Sequence, residues 1–469
     1  MNDELRVKDN ELGGKMNYRY RNDEEMKDSG VEWIGKIPKE WNITRVKYAL
    51  RKKITDGPHE TPQFISEGIP FLSVDAIQDG KLIFDNCRYI SEEDHNRYIK
   101  KCKPEKNDVL MGKAASTGKI ARIDKDIEFS IWSPLALLKP DTNIIKPKYL
   151  EYSMKSNQTQ YEIELLCTNN TQKNISMDDI VDIKIIMPDI KKQKKIVDFL
   201  QQKTAQFDSI ISKKEALIEK LEEAKKSLIS EVVTGKVKVV KSSDDGYELV
   251  ERKKEEMKDS GVEWLGDIPI GWNVSKIKHT CSINSNVLSE NTDEGYEIKY
   301  IDIGSVTSDG RIIGLQEYKF KDAPSRARRI VNDKDILIST VRTYLKAITS
   351  VEKSDANLIC STGFAVLSPS ENIDYKFLSY FIRGNKFIDE VVSRSVGVSY
   401  PAITSSEIAN LEVIIPSLDE QIKIGNYIDN KINKLNSIIS NIQNQIDKIK
   451  EAKQSLISEA VTGKIEILD

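Results

Sequence analysis

Sulfur, imidazole and long apolar runs are all scarce in this chain of 469 residues, and each scarcity removes a class of function. The five cysteines (Cys87, Cys102, Cys167, Cys281, Cys360) are scattered and odd in number, with no C-x-x-C pair among them. That argues against a disulfide framework or a thiolate metal site and fits free thiols in a reducing cytoplasm. The three histidines, His59, His95 and His279, are too dispersed for a metal cluster. No apolar run approaches the roughly 18–20 residues of a membrane span, and the opening MNDELRVKDN is too acidic and polar for a signal peptide.

Motifs of catalysis are missing as well. There is no N/D-P-P-Y/F tetrapeptide of the amino-methyltransferases, and no strand-to-Gly-x-Gly-x-x-Gly unit for a nucleotide or methyl donor. Gly112-Lys-Ala-Ala-Ser-Thr-Gly118-Lys119 imitates a P-loop, but five residues separate its glycines where four are needed, and Ile120 replaces the magnesium-binding Ser or Thr. Its small and basic residues suit a loop close to a phosphate backbone, or an ordinary surface turn. Pro188-Asp-Ile-Lys191 lacks the further carboxylate of a nuclease metal site. We therefore expect a chain with no cofactor and no metal of its own.

What is present is repetition. The ten residues EEMKDSGVEW at 24–33 recur unchanged at 255–264, and the match runs on from IGKIPKEWN to LGDIPIGWN. A second pair closes each half, EAKKSLISEVVTGK at 223–236 and EAKQSLISEAVTGK at 451–464. The offsets, 231 and 228, nearly agree. Between the anchors, framework positions hold while polar ones diverge: Ile183–Pro188 ahead of Gln193 answers Leu411–Pro416 ahead of Gln421. A duplicated scaffold with a varied surface implies two recognition events in one geometry.

The net charge of −3 conceals clusters. Residues 98–125 carry eight Lys/Arg against three Asp/Glu, and 311–346, the equivalent stretch, carry nine against four, each a net +5. Clusters of this kind suit phosphate contacts. A solvated lysine-rich face is the alternative for either one alone.

Each half divides into a mixed segment and a long helix. The mixed segments, about 33–190 and 264–418, hold short β-like runs (residues 69–74 and 300–304) and the turn signals Asp79-Gly80 and Asp309-Gly310. Helical stretches follow at 149–157 and 375–382, so the pattern is α/β or α+β, made twice. Past Pro188 and Pro416 the period becomes helical. Ile196, Leu200, Phe207, Ile210, Leu217, Leu221, Ala224 and Leu228 form one stripe, interrupted by Lys203 and Lys214. Ile424, Ile428, Leu435, Ile438, Ile442, Ile449, Ala452 and Leu456 form the other, and Gly235 and Gly463 end the helices. A helix of about 45 residues spans roughly 65 Å, too long for a compact domain to cover. The two stripes should therefore pack on each other as an antiparallel coiled-coil pair.

At this point the residues resemble a known family, the specificity subunits of type I restriction-modification enzymes. The resemblance lies in Lys27-Asp-Ser-Gly-Val-Glu-Trp-Ile-Gly-Lys-Ile-Pro-Lys-Glu-Trp41 and its copy, in Tyr400-Pro-Ala-Ile403, in Ile414-Ile-Pro-Ser-Leu-Asp-Glu-Gln421 and in the Thr-Gly-Lys helix ends. It covers nearly the whole chain. One departure is Thr171-Gln-Lys-Asn-Ile175 where the second half has Ser399-Tyr-Pro-Ala-Ile403. The resemblance implies a fold of two target recognition domains joined by two long antiparallel helices in a pseudo-two-fold arrangement. The expected layout is a polar tail (1–25), a first recognition domain (26–190), a spacer helix (191–236), a charged linker (237–256), a second recognition domain (257–418) and a second spacer helix (419–465).

It also implies a function: a non-catalytic subunit whose two domains each read half of an asymmetric, split target in double-stranded DNA. Two methyltransferase subunits would dock on the chain, restriction subunits would join them, and methyl donor, ATP and magnesium would be held by those partners. Candidate DNA contacts are Lys101, Lys103, Lys113, Ser116, Thr117, Lys119 and Arg122 in the first domain, and Arg326, Arg328, Arg329, Arg342, Tyr344 and Lys346 in the second. Arginine forks can grip guanine or phosphate, while most lysines would position the domain on phosphate. Candidate partner-docking residues are Leu221, Leu228 and Ile229 with Ile449, Leu456 and Ile457, in the most closely matched segments. A duplicated coiled-coil scaffold with no DNA role is the competing reading.

Overall fold

The computed structural model describes residues 18–169, 173–242, 246–352, 357–397 and 400–468. The chain divides into two compact units, Met1–Lys214 with Gln443–Asp469, and Glu215–Ile442. The division cuts both long helices, Ile190–Val233 and Leu418–Thr462, so each unit holds the start of one and the end of the other. Among the described residues no helix is long and apolar enough to cross a membrane.

In unit 1 a four-stranded sheet takes Ile120–Arg122, Val109–Gly112, Leu135–Leu138 and Thr55–Asp56 in that order. A three-stranded sheet beside it contains the parallel pair Ser130–Ile131 and Ile69–Leu72. Unit 2 repeats the plan. Its first sheet orders Cys281–Ile283, Phe364–Pro369, Ile336–Ser339 and Ile348–Ser350. Its second holds the parallel pair Glu297–Ile301 and Leu358–Ser361, with one strand more, Ala327–Ile330, than unit 1 has. The strands Val109–Gly112 and Leu135–Leu138 are buried on both faces, which explains their unbroken apolar runs. The Asp79-Gly80 turn joins a two-residue hairpin, Ile77 opposite Leu82, with both turn residues at positive φ (47° and 71°).

The matched anchors are identical because they build the same local structure. Asp28 Oδ1 accepts from Gly30 N at 2.9 Å and Ser29 Oγ donates to the Val31 carbonyl at 3.1 Å; Asp259 and Ser260 make the same two bonds at the same distances. The helix ends meet these anchors. Gly463, at φ 70°, passes so close to the segment Ile37-Pro-Lys-Glu-Trp41 of unit 1 that a Cβ would lie 2.4 Å from Pro38 and 2.7 Å from Trp41. Gly235, at φ 73°, sits in the same way on Pro269 and Trp272 in unit 2. Any side chain here would meet both backbone strain and a collision, so Thr-Gly-Lys and the tryptophan anchor have to occur together.

Two expectations change. Residues 237–256, expected to be a charged linker with little to bury, form a hairpin of Val237–Lys241 and Tyr247–Glu251, followed by a short 3-10 turn. Val237 is buried and Val239 and Leu249 pack on the core of unit 2. Alternation of apolar and charged residues, which reads as polarity in composition, is the signature of a half-buried strand. The tail expected over 1–25 ends in structure: Tyr18–Tyr20 pairs antiparallel with Ile465–Ile467, Tyr18 opposite Ile467. Residues 1–17 of that tail lie outside the described residues. The strand pair made by chain ends in unit 1 is thus the counterpart of the continuous hairpin in unit 2.

The two helices run antiparallel, as expected. In unit 1 Lys453 Nζ donates to Asp208 at 2.5 Å and Lys214 Nζ to Gln445 at 2.6 Å. In unit 2 Lys225 Nζ donates to Asn436 at 2.9 Å. The stripe departs from the sequence expectation in phase. Ile196, Leu200 and Phe207 are buried, but Leu217 and Ala224 are exposed, while Ile211, Lys225 and Ile229 are buried instead. On the second helix Ile438 is exposed, and Ile432 and Ile446 are buried. The buried positions keep the 3.6-residue period of a straight helix, so they drift by one from a 3.5-residue heptad. Lysine stems can fill seam positions with their methylenes while the amine finds a partner.

Candidate nucleic-acid interface

The basic stretch of unit 1 lies around the loop joining Val109–Gly112 to Ile120–Arg122. The loop is clamped by its backbone. Lys113 N donates to the Pro134 carbonyl at 2.8 Å, and the Lys113 carbonyl accepts from Ile175 N at 2.9 Å. Ala114 bridges Asn174, and Ala115 is left-handed at φ 63°. Unit 2 uses the same clamp. Thr340 N donates to the Gly363 carbonyl at 2.8 Å, the Thr340 carbonyl accepts from Ile403 N at 2.9 Å, Val341 bridges Ala402, and Arg342 is left-handed at φ 51°. Residues 171–172 and 399, where the two halves differ in motif, lie outside the described residues.

Within this frame the side chains differ. In unit 1 Lys101 and Lys113 both point to the buried carboxylate of Asp56, at 2.7 and 3.2 Å. Burial would raise the Asp56 carboxyl, but hydrogen bonds from the two lysines outweigh it and hold it below the usual aspartate range. Lys103 and Lys119 are exposed and Ser116 is half-buried. Thr117 Oγ1 donates to the Lys173 carbonyl at 3.1 Å. Arg122 corrects the expectation. Its Nε lies 3.4 Å from the buried Glu151 and its Nη1 donates to Asn107 at 2.8 Å, so this guanidinium ties sheet to helix rather than reaching outward. The sequence reading passed over a second group. Lys47, Arg51, Lys52 and Lys53 line a cleft of about 480 Å³ together with Met177, Asp178 and Val181. Lys52 and Lys53 are exposed, and the Arg-Lys-Lys triplet was the signal that could have found them.

In unit 2 Arg326 is exposed, and its carbonyl accepts from Thr362 N at 2.8 Å in the turn that also holds Thr340. The turn therefore brings Arg326 to the 340–346 loop. Arg328 stacks on Phe320, 4.7 Å from the ring centre. Arg329 is half-buried; burial lowers its guanidinium pKa, and its Nη1 has no hydrogen-bond partner. Arg342, Tyr344 and Lys346 are all exposed on one loop, and Arg342 stacks on Tyr400 at 4.7 Å. Leu345, Val396 and Tyr400, absent from the expected set, stand exposed beside them.

The expected docking residues are mostly committed to the chain's own packing. Leu456 and Ile457 are buried in the core of unit 1, where Ile449 packs against them. Ile229 is buried in the core of unit 2 with Leu228 against it, and Leu221 is half-buried. Their close match between halves is explained by each unit's packing against its helix ends, so this set does not form a free surface.

The family model described as the type I restriction modification DNA specificity domain matches twice, at residues 60–221 and 269–448. The proposed MjaX specificity subunit of a type I restriction enzyme from Methanocaldococcus jannaschii is 24% identical over 449 residues, 92% of this chain and 96% of that protein. The MjaVIII specificity subunit of the same organism is 22% identical over 453 residues, covering 92% and 94%. A solved chain, from a structure titled for complex assembly and conformational transition of the type I R-M system, shares the fold with a TM-score of 0.57 at 15% identity, covering 91% of this chain and 99% of its own. With two matched domains spanning most of its length, this chain belongs to the type I restriction modification DNA specificity family.

Proposed function

We propose that the chain is the specificity subunit of a type I restriction-modification complex, each unit reading one half of a bipartite, asymmetric DNA target. The observation that carries this reading is one clamp holding two different loops. Lys113 and Thr340 make equivalent backbone bonds, yet the residues that follow are Ala-Ala-Ser-Thr in one unit and Val-Arg-Thr-Tyr-Leu in the other. A constant frame with divergent exposed side chains is what direct readout of two sequences requires.

In this reading the exposed lysines, including Lys52, Lys53, Lys103 and Lys119, contact phosphate and position the domain, as does Arg342, while Arg326 and Tyr344 face base edges. The paired helices set the gap, since half-sites read from one face of DNA lie about 34–36 Å apart and need a stiff spacer. The chain carries no catalysis and works in the cytoplasm. Methyl donor, ATP and magnesium are held by two methyltransferase subunits and the restriction subunits that join them, and the flipped adenine enters the methyltransferase. Docking uses exposed positions of the helices in place of Leu456, Ile457 and Ile229.

A gel shift with the partner methyltransferase on a pool of random duplexes tests this. A recognition subunit retains a subset sharing two separated half-sites, whereas a scaffold without a DNA role retains none. Sequencing of methylated adenines in a host carrying the intact system should return the same two half-sites.

A further inference from the structure

The 3-10 turn Thr343–Leu345 is held between two left-handed residues, Arg342 and Lys346. It leaves two large adjacent side chains outside, Tyr344 at 52% exposure and Leu345 at 44%. Residues 395–396 and 400–402 lie against the turn. Thr343 Oγ1 and Ser395 Oγ are 2.9 Å apart, Arg342 N donates to the Pro401 carbonyl at 2.8 Å, and Val396 and Ala402 exchange both backbone hydrogen bonds. They add Val396 at 78% exposure and Tyr400 at 64%. These bonds bring four exposed apolar or aromatic residues near one another, with Arg342 stacked on Tyr400 at 4.7 Å and Lys346 closing the turn. An ordinary solvated loop would not expose this much apolar surface in one place.

We propose that Tyr344, Leu345, Val396 and Tyr400 form an apolar patch that reads thymine through its 5-methyl group in the half-site of unit 2. The inference rests on the DNA-reading function proposed above and names what one unit reads. The two cations suit a phosphate backbone, which favours DNA over an apolar protein partner as the occupant. Thymine presents a methyl group in the major groove, and apolar side chains recognise it. Tyr344 and Leu345 are about half exposed on the held turn, which suits a shallow contact with a groove wall better than a long wedge. In unit 1 the corresponding loop offers Ala115, Ser116 and Thr117, which cannot build such a patch. The patch is thus a point at which the two units diverge in specificity.

The test uses the full chain in complex with its methyltransferase, on a target found by methylation sequencing, with unit 2's half-site assigned by domain exchange. Each thymine of that half-site is replaced in turn by uracil, which lacks only the methyl. Binding should weaken about fourfold for each contacted methyl, corresponding to about 0.8 kcal/mol for one buried methylene-sized group. The double variant Tyr344→Ala with Leu345→Ala should bind thymine and uracil duplexes equally in that half-site. It should keep the wild-type response to uracil in the other half and unfold at the same temperature. Tyr344→Phe should retain the discrimination. Indifference of the unchanged chain to uracil, discrimination that survives the double variant, or a unit 2 half-site without thymine would each overturn the proposal. So would loss of methyltransferase binding by the double variant in native mass spectrometry. Failure of the underlying DNA reading looks different: the unchanged chain would then show no preference for target over random duplex.

Discussion

Lys453 reaches across the helix seam of unit 1 to Asp208 at 2.5 Å, and its counterpart 228 positions earlier, Lys225, reaches Asn436 at 2.9 Å in unit 2. Each unit thus ties its helices with a lysine from the last quarter of one helix and a polar partner near the middle of the other, and unit 1 adds Lys214 on Gln445. The partners differ, a carboxylate in one unit and an amide in the other. Asp208 is partly exposed, so its pair with Lys453 contributes little, under about 1 kcal/mol. Lys225 is buried. Asn436→Ala should cost about 0.5–1.5 kcal/mol, because the buried ammonium loses its amide acceptor and keeps only the ion pair with Glu222 at 3.5 Å. Lys225→Met, which keeps the stem, should cost less than Asn436→Ala. Denaturant unfolding of the three variants checks the order, and a larger loss for Asp208→Ala than for Asn436→Ala would contradict it.

Gln421 provides a second prediction. It is fully buried, its Oε1 accepts from Asp374 N at 2.8 Å, and its Nε2 donates to the carbonyls of Pro416 at 3.0 Å and Asn372 at 3.3 Å. Gln193 repeats this with Lys146 N, Pro188 and Ile144. One amide in each unit therefore joins the start of a long helix to the start of a recognition-domain helix. Gln421→Leu fills the volume but removes the partner of three backbone groups, one buried and two part-buried, and should lower stability by about 1–3 kcal/mol. Calorimetry should show the loss in unit 2 while binding to unit 1's half-site persists.

Acid sensitivity should centre on Glu151. Burial pushes its carboxyl upward, but the ion pairs with Lys155 and Lys148 outweigh burial and hold it below the ordinary glutamate range. A folded value below the unfolded one contributes stability that is full above the unfolded value, about 4.3, and is lost as pH falls through the folded value. Glu151→Gln should therefore be less stable than the parent at neutral pH, with the difference shrinking below about pH 4. A gap in melting temperature that stays constant from pH 7 to pH 3.5 would contradict this assignment.

The strand pairs at the helix ends predict tolerance of circular permutation. Unit 1 builds from Tyr18–Tyr20 and Ile465–Ile467 what unit 2 builds from a continuous hairpin. Covalent connection between these strands is therefore not needed for the pairing. A chain in which the strands Tyr18–Tyr20 and Ile465–Ile467 are connected by a short linker and whose new ends lie between Ser242 and Gly246 should fold and still direct methylation to the same target. Recovery of the protein only as aggregate, with Val237 and Leu249 unprotected in hydrogen exchange, would argue against it.

Much of this molecule was legible in its sequence for a physical reason: residues that serve the same backbone geometry twice stay the same twice. Asp28 and Ser29 with their copies, Gly463 against Trp41, and Gln193 with Gln421 are of this kind. The Asp79-Gly80 turn and the helix Tyr375–Ile382 were legible from local chemistry alone. The seam was misread beyond Phe207, because Leu217 and Ala224 look apolar while the lysine stem that replaces them does not. The hairpin at 237–251 was hidden by charges on its solvent side. Charge counting along the chain makes Arg122 an outward contact, since it does not show Glu151 beside it. Leu345, Val396 and Tyr400 were passed over since an apolar side chain is assigned to a core until the fold shows it outside.

The central claim is that the two units read DNA independently while the helices set the gap between their half-sites. Exchanging residues 264–418 for the corresponding domain of another family member, followed by sequencing of methylated adenines in a host carrying the intact system, tests it most directly. The account predicts a new sequence in one half-site, with the other half-site and the spacing unchanged. A change in both half-sites, or loss of methylation from a chain that still folds and still binds its methyltransferase, would contradict it.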